Sequence, residues 1–266
     1  MKTLGIVNIT EDSFSDGGKY LSPDAAIAHA RALGNDADII LDLGAASSNP
    51  DAKAVAPDVE IARLVPVVAA LKADKRAISI DTFSCDVQRW AIEQGVDYLN
   101  DIQGFPDAAL YPALAASEAK LIVMHSVQER GIATRLDIPP SEILERINRF
   151  FDNRIAALAK AGVARERIIV DPGMGFFLGS DPETSLTVLR AIPKLKQDFG
   201  LPVLISVSRK SFLRKLTGRA PEEAGPATLS AELFAALQGA DYIRTHDPRA
   251  LRDASTVWQA AAGNRP

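Results

Sequence analysis

A chain of 266 residues with 47% hydrophobic residues can form a large core, and its length suits one α/β barrel, a fold that commonly needs about 250 residues. No apolar run approaches the roughly 20 residues that span a bilayer, and a formal charge of −4 without a basic block argues against nucleic-acid binding. We therefore expect a soluble protein whose partners are small molecules, with no membrane and no nucleic acid among them.

The first residues lack the features of an export signal. Met1 and Lys2 lead directly into a strand-like segment, without an apolar core and a small-residue cleavage site. Cys85 is the single cysteine, so we expect neither an internal disulfide nor a cysteine cluster for zinc. We interpret Cys85 as a small buried apolar residue. Together these features predict a cytoplasmic protein.

Eight short segments rich in β-branched residues predict eight strands. In chain order they are LGIVNIT from Leu4, DIILDLG from Asp38, AISIDTF from Ala77, DYLNDIQ from Asp97, KLIVMHS from Lys120, IIVDPG from Ile168, PVLISVS from Pro202 and DYIRTHD from Asp241. Helical patterns separate them; the longest runs from Ser141 to Ala161, and Asp181 caps another. This alternation predicts an α/β protein, a single TIM barrel over residues 1–266, with a doubly wound open sheet as the alternative.

Polar residues stand at the carboxyl ends of the predicted strands, where such barrels place their sites. They are Asn8, Asp42, Asp81, Asn100, Asp101, His125, Asp171, Ser208, Arg244 and His246. The longest irregular segments follow the first, second and sixth strands and predict lids or binding loops, with tolerated insertions as the alternative. Phe14, in the first of these loops, is placed to cover a ligand.

The segment IIVDPGMGFFLG is the most informative part of the chain. A buried strand ends at Asp171 and enters a loop whose glycines let a flat ligand approach the backbone, with Phe176 and Phe177 at the ligand's edge. A simple corner with a helix-capping Asp171 is the alternative. With Asp81 and Asn100, Asp171 offers acceptors for a ring that carries several N–H donors, such as a pterin or a guanine.

A second group of residues suits an anion. Arg244 and His246 stand one residue apart in the last predicted strand, so both should point to one face, and Asn8 lies on the neighbouring first strand. One amide oxygen is a poor metal site by itself. Magnesium, however, often takes one or two protein oxygens and completes its shell with water and phosphate, so a magnesium ion at Asn8 would imply a diphosphate. Lys210 remains open between a Schiff-base lysine, an anion partner and a solvated residue at a helix start.

GIVNITEDSFSDGG, SIDT, LNDIQGF, VMH, DPGMGF, SVSRKSF and RTHD follow one another over nearly the whole chain. In this the chain resembles the dihydropteroate synthases, barrel enzymes of the folate pathway. The resemblance implies a transferase that condenses 7,8-dihydropterin-6-ylmethyl diphosphate with 4-aminobenzoate, and a homodimer. Asn8, Lys210, Arg244 and His246 would then be catalytic, with Asn8 as the Mg²⁺ ligand. The substrate-binding residues implied are Phe14, Ser48, Pro50, Asp81, Asn100, Asp171, Gly175, Phe176, Phe177, Lys210, Ser211, Arg244, Thr245 and His246.

The chain departs from the common family pattern at several positions. Ser48 stands where threonine is usual, Asn49 replaces an arginine, and Phe177 follows Phe176 where glycine is common. These departures resemble the sulfonamide-insensitive (Sul-type) branch of the family. Sulfonamides mimic 4-aminobenzoate but carry a bulky group on a tetrahedral sulfonyl, so we predict that Phe177 excludes them and confers sulfonamide resistance. The alternative is that Phe177 only repacks its loop.

Two other functions fit the same residues. A pterin-dependent methyltransferase would share the pterin-binding acids, but it would need a corrinoid partner and no diphosphate site. A non-catalytic pterin-binding protein would keep Asp81, Asn100 and Asp171 but would have no reason to keep Asn8, Arg244 and His246 together.

Overall fold

The structure is a computed structural model that describes residues 1–10, 22–33, 38–47, 53–128, 136 and 138–263. Within these residues eight strands form one parallel sheet. The strands are β1 (Lys2–Asn8), β2 (Ile39–Gly44), β3 (Ile78–Asp81), β4 (Tyr98–Asp101), β5 (Lys120–Met124), β6 (Ile168–Asp171), β7 (Leu204–Ile205) and β8 (Tyr242–Thr245).

The strand order is β6-β5-β4-β3-β2-β1-β8-β7, so neighbours in the chain are neighbours in the sheet and β1 pairs with β8. In the part of the chain that the structure describes, an isolated parallel bridge between Val170 and Val203 is the pairing that joins β6 to β7. The sheet is therefore a nearly closed barrel. This confirms the predicted TIM barrel, because a doubly wound sheet would reverse its strand order at a switch point.

Helices surround the barrel. Those in the described residues are α1 (Pro23–Leu33), α2 (Pro57–Ala73), α3 (Cys85–Glu93), α4 (Tyr111–Ala116), α5 (Ile143–Lys160), α6 (Pro182–Arg190), α7 (Ile192–Phe199), α8 (Ser211–Thr217), α9 (Gly225–Leu237) and α10 (Pro248–Ala261). Short 3-10 helices lie at Ala108–Leu110, Arg165–Arg167, Gly175–Phe177 and Pro221–Glu223. No helix among the described residues is long and apolar enough to cross a bilayer.

Alternation along the strands separates an outer cluster of the core from an inner one. In β2, Leu41 and Leu43 belong to the large cluster between the barrel and its helices, whereas Ile40 belongs to a small cluster inside the barrel. The inner cluster consists of Leu4, Ile40, Tyr98, Ile122, Ile169, Leu204 and Tyr242. Because side chains two residues apart share a face, the next inward position on each strand lies nearer its carboxyl end. Those positions include Asp42, Asn100, Asp171 and Arg244, which places polar groups above an apolar floor.

The structure corrects three expectations. The segment from Pro202 forms a strand only at Leu204–Ile205. Strand β8 ends at Thr245, so His246 does not share a strand face with Arg244; its backbone N–H donates to the Ser208 hydroxyl instead of to a neighbouring strand. Cys85, at the start of α3, is partly exposed and not fully buried, although it packs against the large core cluster.

Candidate active site at the carboxyl end of the barrel

An ion-pair network links three inward-facing residues of β2, β3 and β8. The Arg244 guanidinium donates from Nε to Asp42 Oδ2 at 2.5 Å and from Nη2 to Asp81 Oδ2 at 2.6 Å. The Asp42 side chain is fully buried, and that of Arg244 is 14% exposed. Burial alone would lower the pKa of Arg244, but Asp42 and Asp81 raise it above its ordinary value. The arginine is therefore a permanent cation.

The two carboxylates of this network differ in their surroundings. Burial raises the pKa of Asp81 to about 7, although Arg244 acts in the opposite direction. Asp42 Oδ2 also accepts from Asn100 Nδ2 at 3.4 Å, and no hydrogen-bond donor described in the structure reaches its Oδ1. Sequence reasoning noted Asp42 at a strand end but gave it no role. An acid at an inward position, two residues after Ile40, was the signal that could have found it.

Asp171 ends β6 and is oriented by the loop that follows it. Its Oδ1 accepts the Gly173 N–H at 2.8 Å, and the side chain is 2% exposed. Burial raises the pKa of Asp171 to about 6. Gly173 has φ 77°, and a Cβ there would lie 2.4 Å from the His125 carbonyl oxygen, so no other residue fits. The loop thus fixes a buried acceptor at the predicted position.

The loop continues against the start of α8. Gly175 donates its N–H to Ser185 Oγ at 3.0 Å, and a Cβ on Gly175 would lie 3.2 Å from Ser211 Oγ and 3.3 Å from Lys210 Cβ. The predicted residues Gly175, Lys210 and Ser211 are therefore neighbours. Gly175 follows β6, whereas Lys210 and Ser211 follow β7. One side of the site is therefore formed across the incompletely closed part of the barrel.

Lys210 lies over an aromatic ring. Its Nζ is 4.7 Å from the centroid of Phe177, within the range of a cation–π contact. Burial, with Arg244, lowers the pKa of Lys210 to about 8, against the opposing effect of Asp171 and Asp81. Lys210 precedes α8 as its N-cap, but its half-buried side chain shows that it is not a fully solvated helix-start residue.

Phe177 is more deeply buried than Phe176. Phe177 is 5% exposed and clusters with Ile102 and Met124, while Phe176 is half-buried and packs against that cluster. Ile102 and Met124 lie at the ends of β4 and β5, next to the polar positions. The Phe177 ring is thus held by apolar contacts with Ile102 and Met124 and by the cation–π contact with Lys210.

His246 is held by Ser208. The Ser208 Oγ lies 2.8 Å from His246 Nδ1 and accepts the His246 backbone N–H at 3.2 Å. Burial lowers the pKa of His246 well below its usual value, and the cations Arg209, Arg244 and Lys210, with His29, act in the same direction. The histidine is therefore a neutral group next to a cationic region.

Other residues singled out from the sequence have structural partners or lie outside the described residues. Thr245 is fully buried on the opposite face of β8 from Arg244; it hydrogen-bonds Glu232 of α9, and its Oγ1 accepts the Asp247 N–H at 3.2 Å. Asp101 accepts from the N–H groups of Gln103 and Phe105 and from Gln88, so its carboxylate fixes a turn. Phe14, Ser48, Asn49 and Pro50 lie outside the described residues.

Asn8 ends β1 at the same end of the barrel. A Cβ on Gly44 of β2 would lie 3.8 Å from both Asn8 Oδ1 and Asp81 Oδ2, so these oxygens flank one glycine. The described residues contain no group of three or more His, Cys, Asp or Glu arranged to hold a metal ion. A single amide oxygen fits only an ion that takes most of its ligands from water and substrate, as Mg²⁺ does.

Comparison with known proteins identifies the family. Residues 4–246 match the family of pterin binding enzymes. The chain is 60% identical to dihydropteroate synthase type-2 of Escherichia coli over 97% of this chain and 94% of that protein. It also superimposes on dihydropteroate synthase of Xanthomonas albilineans with 4-aminobenzoic acid, with a TM-score of 0.87, 36% identity, and coverage of 98% of this chain and 93% of the other.

A second structure from Xanthomonas albilineans, the same enzyme in complex with 7,8-dihydropteroate, matches with a TM-score of 0.82 and 31% identity, over 98% of this chain and 92% of the other. These similarities extend over the barrel and all of its strand ends, so they concern the whole site and not one motif. The chain belongs to the dihydropteroate synthases, within the family of pterin binding enzymes.

Proposed function

We propose that this chain joins 7,8-dihydropterin-6-ylmethyl diphosphate to 4-aminobenzoate, giving 7,8-dihydropteroate and diphosphate. The observation that carries the proposal is the meeting of buried acceptors, Asp171 and Asn100, with the cations Arg244 and Lys210 at one end of the barrel. The acceptors suit the N–H edge of a pterin, and the cations suit an anionic leaving group. Family membership makes the chain a transferase.

In the reaction the arylamine nitrogen forms a bond to the methylene carbon, and the carbon–oxygen bond to diphosphate breaks. The electron pair leaves with the diphosphate, and the amine loses a proton. An arylamine is a weak nucleophile, so most of the rate gain should come from stabilising the departing diphosphate. Arg244 and His246 have this role in the proposal, while Asp81 and Asp171 favour the positive charge that develops on the pterin side.

The ion pairs of Arg244 reduce the net positive charge that the site offers to a diphosphate. Asp42 and Asp81 already bond this guanidinium, so its charge is largely offset before substrate binds. A diphosphate would bring more negative charge than this side of the site balances, which favours a metal ion bound with it. Asn8 would hold Mg²⁺ together with the diphosphate and water. When bound, Mg²⁺ stabilises the charge of the leaving oxygens.

We also propose that Phe177 makes the enzyme insensitive to sulfonamides. A residue that excludes a drug by its bulk must resist displacement, and Phe177 is 5% exposed with Lys210 on its face and Ile102 and Met124 beside it. A ring held in this way admits the flat carboxylate of 4-aminobenzoate and conflicts with a bulky sulfonyl substituent. We further propose a homodimer, supported by exposed apolar residues on α9 and α10.

The decisive experiment measures diphosphate release from the dihydropterin diphosphate in the presence of Mg²⁺, with and without 4-aminobenzoate. We expect diphosphate release and 7,8-dihydropteroate formation in equal amounts, and loss of both when Mg²⁺ is chelated. No release in the complete mixture would overturn the synthase function and leave the corrinoid-dependent methyltransferase as the alternative. Unchanged release after chelation would overturn the role given to Mg²⁺.

The variant His246→Ala separates catalysis from simple pterin binding. Because the histidine is assigned to the leaving diphosphate and not to the pterin ring, turnover should fall by at least about 10-fold, equivalent to 1.4 kcal/mol. Calorimetry with a pterin that lacks the diphosphate should show nearly unchanged affinity. Equal loss of pterin affinity with unchanged turnover would mean that His246 binds the ring.

A further inference from the structure

We infer that Ser208 is a positioning residue for His246, whose imidazole it holds as the neutral tautomer with the proton on Nε2. The inference rests on the proposed role of His246 toward the leaving diphosphate. Ser208 has no role in the site set predicted from the sequence. It lies between β7 and α8, where its side chain is buried with 5% exposure.

The hydrogen bonds of the Ser208 hydroxyl determine the tautomer. The hydroxyl oxygen accepts the backbone N–H of His246 at 3.2 Å, and it lies 2.8 Å from Nδ1 of the same residue. A hydroxyl has one proton to donate. If Nδ1 also carried a proton, the hydroxyl proton would need another acceptor, and the described residues provide none for this buried group. The Ser208 hydroxyl, the His246 backbone N–H and His246 Nδ1 all have partners only when the hydroxyl donates its proton to an unprotonated Nδ1. The ring proton of His246 then lies on Nε2.

The surroundings of His246 favour the neutral ring. Arg209 and Lys210 follow Ser208 in the chain, Arg244 comes from β8 and His29 from α1, and each disfavours a further positive charge on His246. A doubly protonated ring would also point an Nδ1–H at the Ser208 hydroxyl, which then could not donate to it. The electrostatic environment and the hydrogen bonds thus select the same form.

The backbone at Arg209 helps to fix Ser208. Arg209 has a left-handed φ of 57°, which is uncommon for a residue other than glycine. Its N–H donates to Thr228 Oγ1 of α9 at 3.0 Å, so a buried helix residue holds this turn. The turn places Ser208 against β8 and Lys210 against the Phe177 loop at the same time.

A fixed tautomer matters because an anion discriminates between the two ring nitrogens. An Nε2–H can donate a hydrogen bond to a phosphate oxygen, whereas a bare Nε2 presents a lone pair and repels it. Without Ser208 the ring would exchange between tautomers and could rotate. We therefore expect Ser208→Ala to lower kcat by about 10-fold and to leave the affinity for a pterin without diphosphate unchanged.

The direct test is ¹⁵N NMR of the histidine side chains in the ligand-free protein, for which the chain has only His29, His125 and His246. His125 is an internal reference, because its Nδ1 lies 3.1 Å from the carbonyl oxygen of Pro172, which can only accept. His125 should therefore carry its proton on Nδ1 and His246 on Nε2. The variant His246→Gln assigns the signals. A protonated Nδ1 on His246 in the parent protein would overturn the inference.

Ser208→Ala should convert the His246 signals to a mixture of tautomers and leave those of His125 in place. The matched control is Ser79→Ala, which removes another buried barrel serine whose hydroxyl contacts no described hydrogen-bond partner. It should change neither the His246 signals nor kcat. An unchanged His246 spectrum in Ser208→Ala, or a changed spectrum with full turnover, would overturn the positioning role. Since the spectra need no substrate, failure of the diphosphate-release assay would be distinguishable from failure of this inference.

Discussion

At the scale of single residues, Asp171 provides the clearest test of pterin recognition. Asp171→Asn replaces a carboxylate acceptor by an amide that can turn N–H groups toward the N–H edge of the ring. Such a buried mismatch costs about 1–3 kcal/mol, which corresponds to roughly 5- to 150-fold in affinity. Calorimetry with a pterin fragment would measure the loss.

The same residue predicts a pH dependence. Because burial raises the pKa of Asp171 to about 6, the acceptor form is gained as pH rises through 6, and affinity for the fragment should rise with it. The Asn variant should lose this part of the dependence and keep the part due to Asp81, whose pKa is about 7. If the variant binds the fragment as the parent does at every pH, Asp171 does not contact the ring.

Glu232 connects a single buried acid to the stability of the whole fold. It lies on α9 with 1% exposure, and burial raises its pKa from 4.5 to about 8. Between these two pH values the folded protein keeps the proton that the unfolded chain has lost, so the free energy of unfolding falls as pH rises. Glu232→Gln mimics the protonated acid and should be more stable than the parent at pH 8, by roughly 5 °C in Tm, with little difference near pH 4.5.

The matched control for this prediction is Glu222→Gln. Glu222 is exposed, so its replacement should leave the pH dependence of Tm as it is in the parent. Thermal melts of the three proteins between pH 4.5 and 8 provide the comparison. Parallel curves for the parent and Glu232→Gln would show that Glu232 is ionised in the folded protein at neutral pH.

At the scale of elements, the loop after β6 is proposed both to bind 4-aminobenzoate and to exclude sulfonamides, and a variant can separate these two roles. Phe177→Gly removes the ring while keeping the loop backbone, so inhibition by a sulfonamide should return. A clash of about 2.8 kcal/mol corresponds to roughly 100-fold discrimination. The Michaelis constant for 4-aminobenzoate should change much less. Some stability should be lost, since removal of a buried Phe side chain commonly costs about 3–5 kcal/mol.

The measurement is a pair of constants in each protein: the inhibition constant of the drug and the Michaelis constant of the substrate. Leu178→Ala is a suitable control, because Leu178 is the next buried residue of the loop but belongs to the outer core cluster. That variant should lose stability and keep its insensitivity. If Phe177→Gly is folded, active and still insensitive, the steric explanation is wrong and the second loop, with Ser48 and Asn49, becomes the better candidate.

Elements also show how far the sequence alone leads. All eight strands were predictable, because buried parallel strands are short, apolar and flanked by helical patterns, and the polar strand ends followed from the same pattern. The pairing of Arg244 with Asp42 and Asp81 was not predictable from the sequence. These aspartates lie 202 and 163 positions before Arg244 in the chain. The surroundings of β7 were not predictable either, because they involve hydrogen bonds between distant parts of the chain: Val170 N–H to the Pro202 carbonyl, and Val203 N–H to the Asp241 carboxylate. The same holds for the bond from His246 N–H to the Ser208 hydroxyl.

At the scale of the whole molecule, the proposed dimer makes a simple prediction. Phe234 and Leu237 of α9 and Val257 and Trp258 of α10 are 39–69% exposed on two helices that pack together. Exposed large apolar residues grouped in this way are typical of interaction surfaces. Val257→Glu should convert the dimer to a monomer, measured by light scattering.

Val65→Glu is the control for the dimer. Val65 is 46% exposed, but it lies on α2 among the early helices of the barrel. Its replacement should leave the dimer intact. A parent protein that is monomeric at micromolar concentration would contradict the proposal directly. So would dissociation caused equally by both substitutions.

The incomplete closure between β6 and β7 has a consequence for the pocket it borders. Asp171 and Phe177 belong to one side of this opening, and Lys210 and Ser211 to the other. Among the described residues, pairing of the strands beneath them is limited to the Val170–Val203 bridge. Above these strands the two sides meet through the Lys210–Phe177 contact and the close approach of Gly175 to Lys210. They also meet through the hydrogen bond from Lys215 Nζ to the Ser180 carbonyl and through contacts between α6 and α8. The width of the pocket is least constrained by backbone hydrogen bonds where the loops after β6 and β7 face each other. A substitution that removes the ring at position 177 therefore also removes one of the side-chain contacts between the two sides of the opening.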